Sequence, residues 1–198
     1  MNHKRKWIWA IMVLVLPLIA WLGVRAYERE FVALSIYSQL QTDSSYVFID
    51  QHAAPFVLEQ KSNRVTVASF FFTSCPIVCP KMMKQLLRVQ AALGEEVRML
   101  SFTVDPAHDD PNMLNQYATK HGIHWQLITG DKASLYRLAR NGFRLIATEG
   151  DGGPTDFIHS DQLVLLDGQS RIRGYYEGTD AAAVDMLIHH IKQLNHEP

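Results

Sequence analysis

The chain holds two cysteines, and both stand in one run: Phe71-Phe72-Thr73-Ser74-Cys75-Pro76-Ile77-Val78-Cys79-Pro80. No further cysteine is available as a partner, so Cys75 and Cys79 are arranged to react with each other or to hold something between them. The preceding Val65 to Phe72 is β-branched and aromatic and reads as a buried strand. The following Lys81 to Leu93 reads as a helix. The pair therefore sits where a strand ends and a helix begins. A helix N-terminus favours negative charge, so a thiol placed there ionises more readily. Such a site can carry a disulfide or a soft metal. The bland alternative is a disulfide staple, but closing so short a loop contributes only about 2 kcal/mol in the chain-entropy model.

The rest of the chain must position that pair. Tyr46–Ile49 and Pro55–Leu58 read as short strands around a turn at Asp50 to Ala54. Val97 to Val104 is a second buried strand. Asp109 or Asp110 caps a helix with Pro111 at its first position, and His121-Gly122 ends it. Trp125–Thr129 is a third strand. Asp131 starts a helix that carries Leu135, Leu138 and Ala139 on one face and ends at Gly142. A Gly-rich loop runs from Thr148 to Phe157. Gln162–Leu166 and Ile172–Tyr176 form a hairpin, and Asp180 to Leu194 is an amphipathic helix. This order gives an α/β fold, a mixed sheet with flanking helices. With a cysteine pair after the first central strand it resembles the thioredoxin fold. In that fold the loop before the penultimate strand returns beside the cysteines. The resemblance therefore places His159 near Cys75 and Cys79.

The N-terminus is different in kind. Met1 to Lys6 is basic, and Trp7 to Val24 carries no charge. Eighteen residues at about 1.5 Å each nearly span a hydrocarbon core of roughly 30 Å. Trp7, Trp9 and Trp21 lie near its ends, as interfacial aromatics do. The expectation is one N-terminal transmembrane helix, with residues 1–27 as anchor, 28–45 as tether and 46–198 as the folded domain. The rival is a cleaved signal peptide, which the poor cleavage site at Val24-Arg25-Ala26 disfavours. Lys4, Arg5 and Lys6 orient the domain to the extracytoplasmic side, where disulfides form. A net charge of −1 over 198 residues argues against nucleic-acid binding.

Four features together resemble the SCO/SenC family of membrane-anchored, copper-binding proteins. They are Cys75-Pro76-x-x-Cys79-Pro80 after a Phe-rich strand and Thr73; the strand end Ser101 to Pro106 followed by Asp109 and Pro111; the isolated His159 before a strand ending at Asp167-Gly168; and the N-terminal anchor. The resemblance runs from about Phe48 to the C-terminus. It implies a metallochaperone for the binuclear copper (CuA) centre of cytochrome c oxidase subunit II, or for another copper client. It also implies copper ligands at Cys75, Cys79 and His159. Ile77-Val78 and His52-Ala53 depart from the family's usual residues without removing a ligand. Two thiolates and an imidazole suit Cu(I) and also accept Cu(II). A structural zinc site would want a fourth ligand, and none stands out.

Other residues carry weaker expectations. His108 and His124 are second candidates as ligands, and the remaining histidines read as solvated or structural. Met82 and Met83 follow the motif at helical spacing and read as core and surface, the alternative being a thioether that serves during copper transfer. Asp105 is a candidate acceptor that orients the site. Glu149, Asp151 and Asp156 form an acidic loop that gates His159 or is merely solvated. The rival function is a membrane-anchored thiol–disulfide oxidoreductase that uses Cys75 and Cys79 to reduce client cysteines before metallation and is recharged by a thiol reductant. Its usual cysteine spacing is one residue shorter. A thiol peroxidase is third, since no resolving cysteine lies outside the motif.

Overall fold

The computed structural model describes residues 12–23, 34–42, 46–145 and 161–197. Contacts divide the chain into two units, Met1–Leu34 and Ser35–Pro198. In the first, residues 12–23 form helix α1, whose apolar side chains, Leu14 and Trp21 among them, are exposed. The ends of the Trp7 to Val24 run lie outside the described residues. Among the described residues no helix is long and apolar enough to cross a membrane.

In the second unit the elements follow as β1 (Ser38–Gln39), β2 (Phe48–Asp50), β3 (Pro55–Phe56), β4 (Thr66–Phe71), α2 (Val78–Leu93), β5 (Arg98–Thr103), α3 (Pro111–His121), β6 (Gln126–Gly130), α4 (Lys132–Arg137), β7 (Gln162–Leu166), β8 (Arg171–Glu177) and α5 (Ala181–His196). The strands form one sheet in the order β1-β8-β7-β4-β5-β6-β2-β3. β4, β5 and β6 are parallel, β7 and β2 run against them, and β8, antiparallel to β7, runs in their direction again. All six residues of β4 are buried, as a central strand covered on both faces requires.

Alternation along the strands divides the core. Ala68 and Phe70 of β4, Leu100 and Phe102 of β5 and Ile128 of β6 join Leu135, Tyr136, Leu138 and Phe143 in one cluster beneath α4. Phe70 stacks on Phe102 at 5.4 Å and meets Phe143 edge-on at 5.6 Å. Burying each such ring contributes about 1.5–3 kcal/mol. On the opposite face Ser69 and Ser101 share a hydrogen bond of 2.7 Å, and Trp125 Nε1 donates to Ser101 Oγ at 2.9 Å. Helices α2 and α5 pack against each other.

The caps explain where the helices start and stop. The Asp110 carboxylate accepts from the Met113 N–H at 2.7 Å, and Gly122 ends α3 in the left-handed conformation at φ 67°. Asp131 and Asp180 cap α4 and α5 in the same way. Two details depart from the sequence reading. Helix α2 begins at Val78 and so includes Cys79 in its first turn, because a proline at position 80 is tolerated there. Ser38–Gln39, inside the stretch read as tether, pairs with β8, a strand too short to show as a pattern.

Candidate metal centre

Strand β4 ends at Phe71, and the chain turns through Thr73 to reach α2. Two contacts hold this turn at the mouth of the sheet: the Cys75 N–H donates to the Phe72 carbonyl at 3.3 Å, and the Val104 N–H donates to the Phe71 carbonyl at 2.8 Å. Ile77 offers no side-chain cap to α2. The Cys75 sulfur fills that role, accepting from the Cys79 N–H at 3.3 Å. One cysteine thus caps the helix that carries the other. The two thiols are free, with Cys75 partly exposed and Cys79 buried.

That arrangement splits their acidities. Burial works to raise the Cys75 pKa, but the N–H groups of Cys79, Ile77 and Val78 point at its sulfur and bring it below the ordinary thiol value. Deeper burial, only partly offset by the Phe72 backbone, pushes the Cys79 thiol up to about 12, with Cys75 and Asp109 adding to the rise. Cys75 is therefore the accessible, readily ionised sulfur. Cys79 is the protected one, whose deprotonation needs a cation or a partner bond. Both line a cleft of about 520 Å³ with the apolar Phe72, Ile77 and Val78.

The loop after β5 is knotted to the cysteine turn through Asp109, which is fully buried. Its carboxylate accepts from the Thr73 N–H at 3.0 Å, from the Thr73 hydroxyl, and from the Thr103 hydroxyl at 2.6 Å. His108 Nδ1 lies 3.0 Å from the same carboxylate. The carboxylate that holds the cysteine turn is Asp109, while the Asp105 N–H is held by Thr103 Oγ1 at 3.0 Å. The sequence reading offered Asp109 as an alternative helix cap and as part of the family's strand-end motif, without giving it this task. With two aspartates before Pro111, one caps and the other is free for this task, and that doubling was the signal available. Tyr117 was also missed. It contacts Phe71 at 5.8 Å, and burial together with the charges of Cys79 and Cys75 pushes its phenol up to about 12.

Of the expected ligands, Cys75 and Cys79 are brought together, and His159 lies outside the described residues, as do Glu149, Asp151 and Asp156. Asp161, two residues after His159, lines the cysteine cleft. It is fixed by the Gly178 N–H at 2.8 Å to its carbonyl and by the Thr179 hydroxyl at 2.8 Å to its carboxylate. Met82 and Met83 are both buried, which makes them core residues. His124 precedes the start of β6, at the end of the parallel strands opposite the cysteines. His108 follows the end of β5 and stands at the cysteine end. Among the described residues no three His, Cys, Asp or Glu side chains gather to hold a metal ion.

A mixed sheet with flanking helices, and a cysteine pair at the junction of a central strand and the next helix, define a thioredoxin-like protein. The SCO1/SenC family model matches residues 36–195, and the chain belongs to that family. An SCO1 protein homolog of Bacillus subtilis (strain 168) is 27% identical over 157 residues, covering 76% of this chain and 81% of its own. The structure of BsSco, a member of the Sco family of cytochrome c oxidase assembly proteins in which a disulfide switch was identified, superposes with a TM-score of 0.70. It is 24% identical and covers 84% of this chain and 99% of that one. ScoI of Bradyrhizobium japonicum with copper bound superposes with a TM-score of 0.61 at 21% identity, covering 75% of this chain and 96% of that one. At these identities the two superpositions speak to the fold alone.

Proposed function

We propose that this chain is a copper metallochaperone. It binds Cu(I) or Cu(II) through the thiolates of Cys75 and Cys79 and the imidazole of His159, and delivers it to the CuA centre of cytochrome c oxidase. Family membership supports the reading. The observation that carries it is the Cys75 sulfur seated on the N-terminal N–H groups of α2 with Cys79 one turn away. Two soft donors are thereby held on one side of a cleft that leaves room for a third ligand and then for an acceptor. Copper binding displaces the Cys79 proton that burial otherwise retains. Residues 1–27 anchor the chain in the membrane, 28–45 tether it, and 46–198 work on the extracytoplasmic side. N-terminal sequencing of the mature protein tests the anchor, since a start near Tyr27 would make it a cleaved signal.

The split thiol acidities favour one second reading, a thiol–disulfide oxidoreductase. The Cys75 thiolate attacks a client disulfide and expels one client thiolate. Cys79, losing its proton, then closes the Cys75–Cys79 disulfide and frees the other client sulfur. An external dithiol reductant resets the pair. His159→Ala separates the two. It should lose most Cu(II) affinity, keep much Cu(I) binding and still form the disulfide. Failed oxidase assembly in that variant supports the chaperone. Near-normal oxidase activity without added copper supports the oxidoreductase.

A further inference from the structure

His108 is a surface imidazole held as metal-ligating imidazoles are held. Its Nδ1 lies 3.0 Å from Asp109 Oδ1 and 3.4 Å from Thr73 Oγ1. Asp109 also takes hydrogen bonds from Thr73 and Thr103, so an ionised carboxylate acts there as an acceptor. That assigns the hydrogen to Nδ1 and leaves the lone pair on Nε2. Metal-binding histidines use this carboxylate–imidazole pairing to fix the tautomer and aim the other nitrogen. The His108 side chain is 50% exposed while Asp109 is fully buried, so the ring is anchored at one nitrogen and open at the other. The hydrogen bond to Asp109 and the charges of Asp109, Asp105 and Asp110 raise the His108 pKa, so a cation that binds Nε2 displaces a proton the same charges attract.

Its place in the fold gives the ring a task. Thr73, beside the His108 ring, lies two residues before Cys75, a span of at most about 7 Å between Cα atoms. The carboxylate that aims the imidazole is the same one that anchors the cysteine turn. An oriented imidazole therefore stands at the cysteine end of the sheet, tied through Asp109 and Thr73 to the turn that carries Cys75.

Resting on the copper reading above, we propose that His108 is a capture ligand: its Nε2 takes copper at the protein surface and passes it to the Cys75 thiolate. No electron moves in this step. Capture displaces any proton on Nε2 to solvent; the imidazole–copper bond then breaks as the sulfur–copper bond forms, and Nε2 is free to take a proton or the next ion. A capture ligand speeds loading and release without setting the final affinity.

Two measurements on the full-length protein in detergent test this. In the first, Cu(II) is mixed with the reduced wild type, His108→Phe and His124→Phe in a stopped-flow instrument, and the thiolate-to-copper absorption is followed. His108→Phe should load about tenfold more slowly with its equilibrium affinity within about twofold, and His124→Phe should match wild type. An affinity that falls in step with the rate makes His108 a permanent ligand and overturns the capture role. An unchanged rate also overturns it. In the second, the Cys75→Ser/Cys79→Ser protein receives sub-stoichiometric Cu(II), and the histidine ring resonances are watched by NMR. The His108 signals should broaden first among the histidines described in the fold, and sharp His108 signals would overturn the proposal. If the wild type shows no thiolate-to-copper band, the chaperone reading fails, while the NMR measurement still decides the case of His108.

Discussion

Asp109 reaches across from the loop after β5 and holds Thr73 by both its backbone N–H, at 3.0 Å, and its hydroxyl. This pair fixes the turn that presents Cys75, although 36 residues separate the two in sequence.

Replacing that carboxylate should therefore be felt in stability and at the cysteines together. Asp109→Asn keeps the shape but turns one acceptor oxygen into a donor facing other donors. A hydrogen bond to a charged group is worth about 1.5–3 kcal/mol, so a loss of about 2–4 kcal/mol is expected in urea unfolding. Thr73→Val should lose about half as much. A variant within 0.5 kcal/mol of wild type, about the scatter of a neutral surface change, would contradict the knot.

The two thiols should titrate apart. Iodoacetamide should modify Cys75 at neutral pH and leave Cys79 largely untouched, as mass spectrometry of quenched samples can show. The sign for stability follows from the raised Cys79 value. The folded chain keeps this proton up to about 12, whereas the unfolded chain releases it at the ordinary thiol value. Stability from this group is thus complete below the ordinary value and is lost as pH rises toward about 12. The lowered Cys75 acts oppositely, contributing above the ordinary value and losing that contribution as pH falls. Cys79→Ser should remove the part of the alkaline loss that begins at the ordinary thiol value and leave the part that the raised Tyr117 phenol adds at higher pH.

At the far end of the sheet Asp167 carries a separate load. Its carboxylate accepts from Arg171 Nε at 2.7 Å and Arg173 Nη1 at 3.0 Å, and the buried Arg173 also meets Glu197 at 3.0 Å. Burial works against the charged form, but the Arg171 and Arg173 contacts hold the carboxyl below its ordinary value. Its contribution is present above the ordinary carboxylate range and is lost as pH falls through the depressed value. Asp167→Asn should cost about 3 kcal/mol at neutral pH, because Arg173 loses its buried partner. It should also flatten the acid limb of the stability curve without changing copper binding.

Gly178 lets the end of β8 lie against the segment that follows His159. A Cβ there would stand 2.6 Å from the Asp161 carbonyl oxygen, a backbone atom with little room to give. Gly178→Ala should lose about 1–3 kcal/mol. It should also weaken copper binding several-fold by shifting Asp161 at the cleft. Unchanged copper affinity would detach this segment from the site.

Much of this fold was legible because its signals are local. The run Val65 to Phe72 could only be a buried strand, and Asp131, Asp180 and Gly122 mark helix ends through their own chemistry. The cysteine motif announced its place because two residue types and a proline pattern coincide. What stayed hidden depends on long-range pairing. Nothing local ties Ser38–Gln39 to β8, ties Asp109 to Thr73, or places Tyr117 beside the sulfurs. His108 and His124 look alike in sequence and differ only in which end of the parallel strands they occupy.

The central claim is that reduced Cys75 and Cys79 hold copper, and the most direct test is the metal content of the chain in two redox states. The reduced protein, loaded with copper under anaerobic conditions and desalted, should retain about one copper per chain with thiolate-to-copper absorption. The oxidised protein, its two sulfurs joined, should retain almost none, because a disulfide has no thiolate to offer. Stoichiometric copper on the fully oxidised chain would contradict the account.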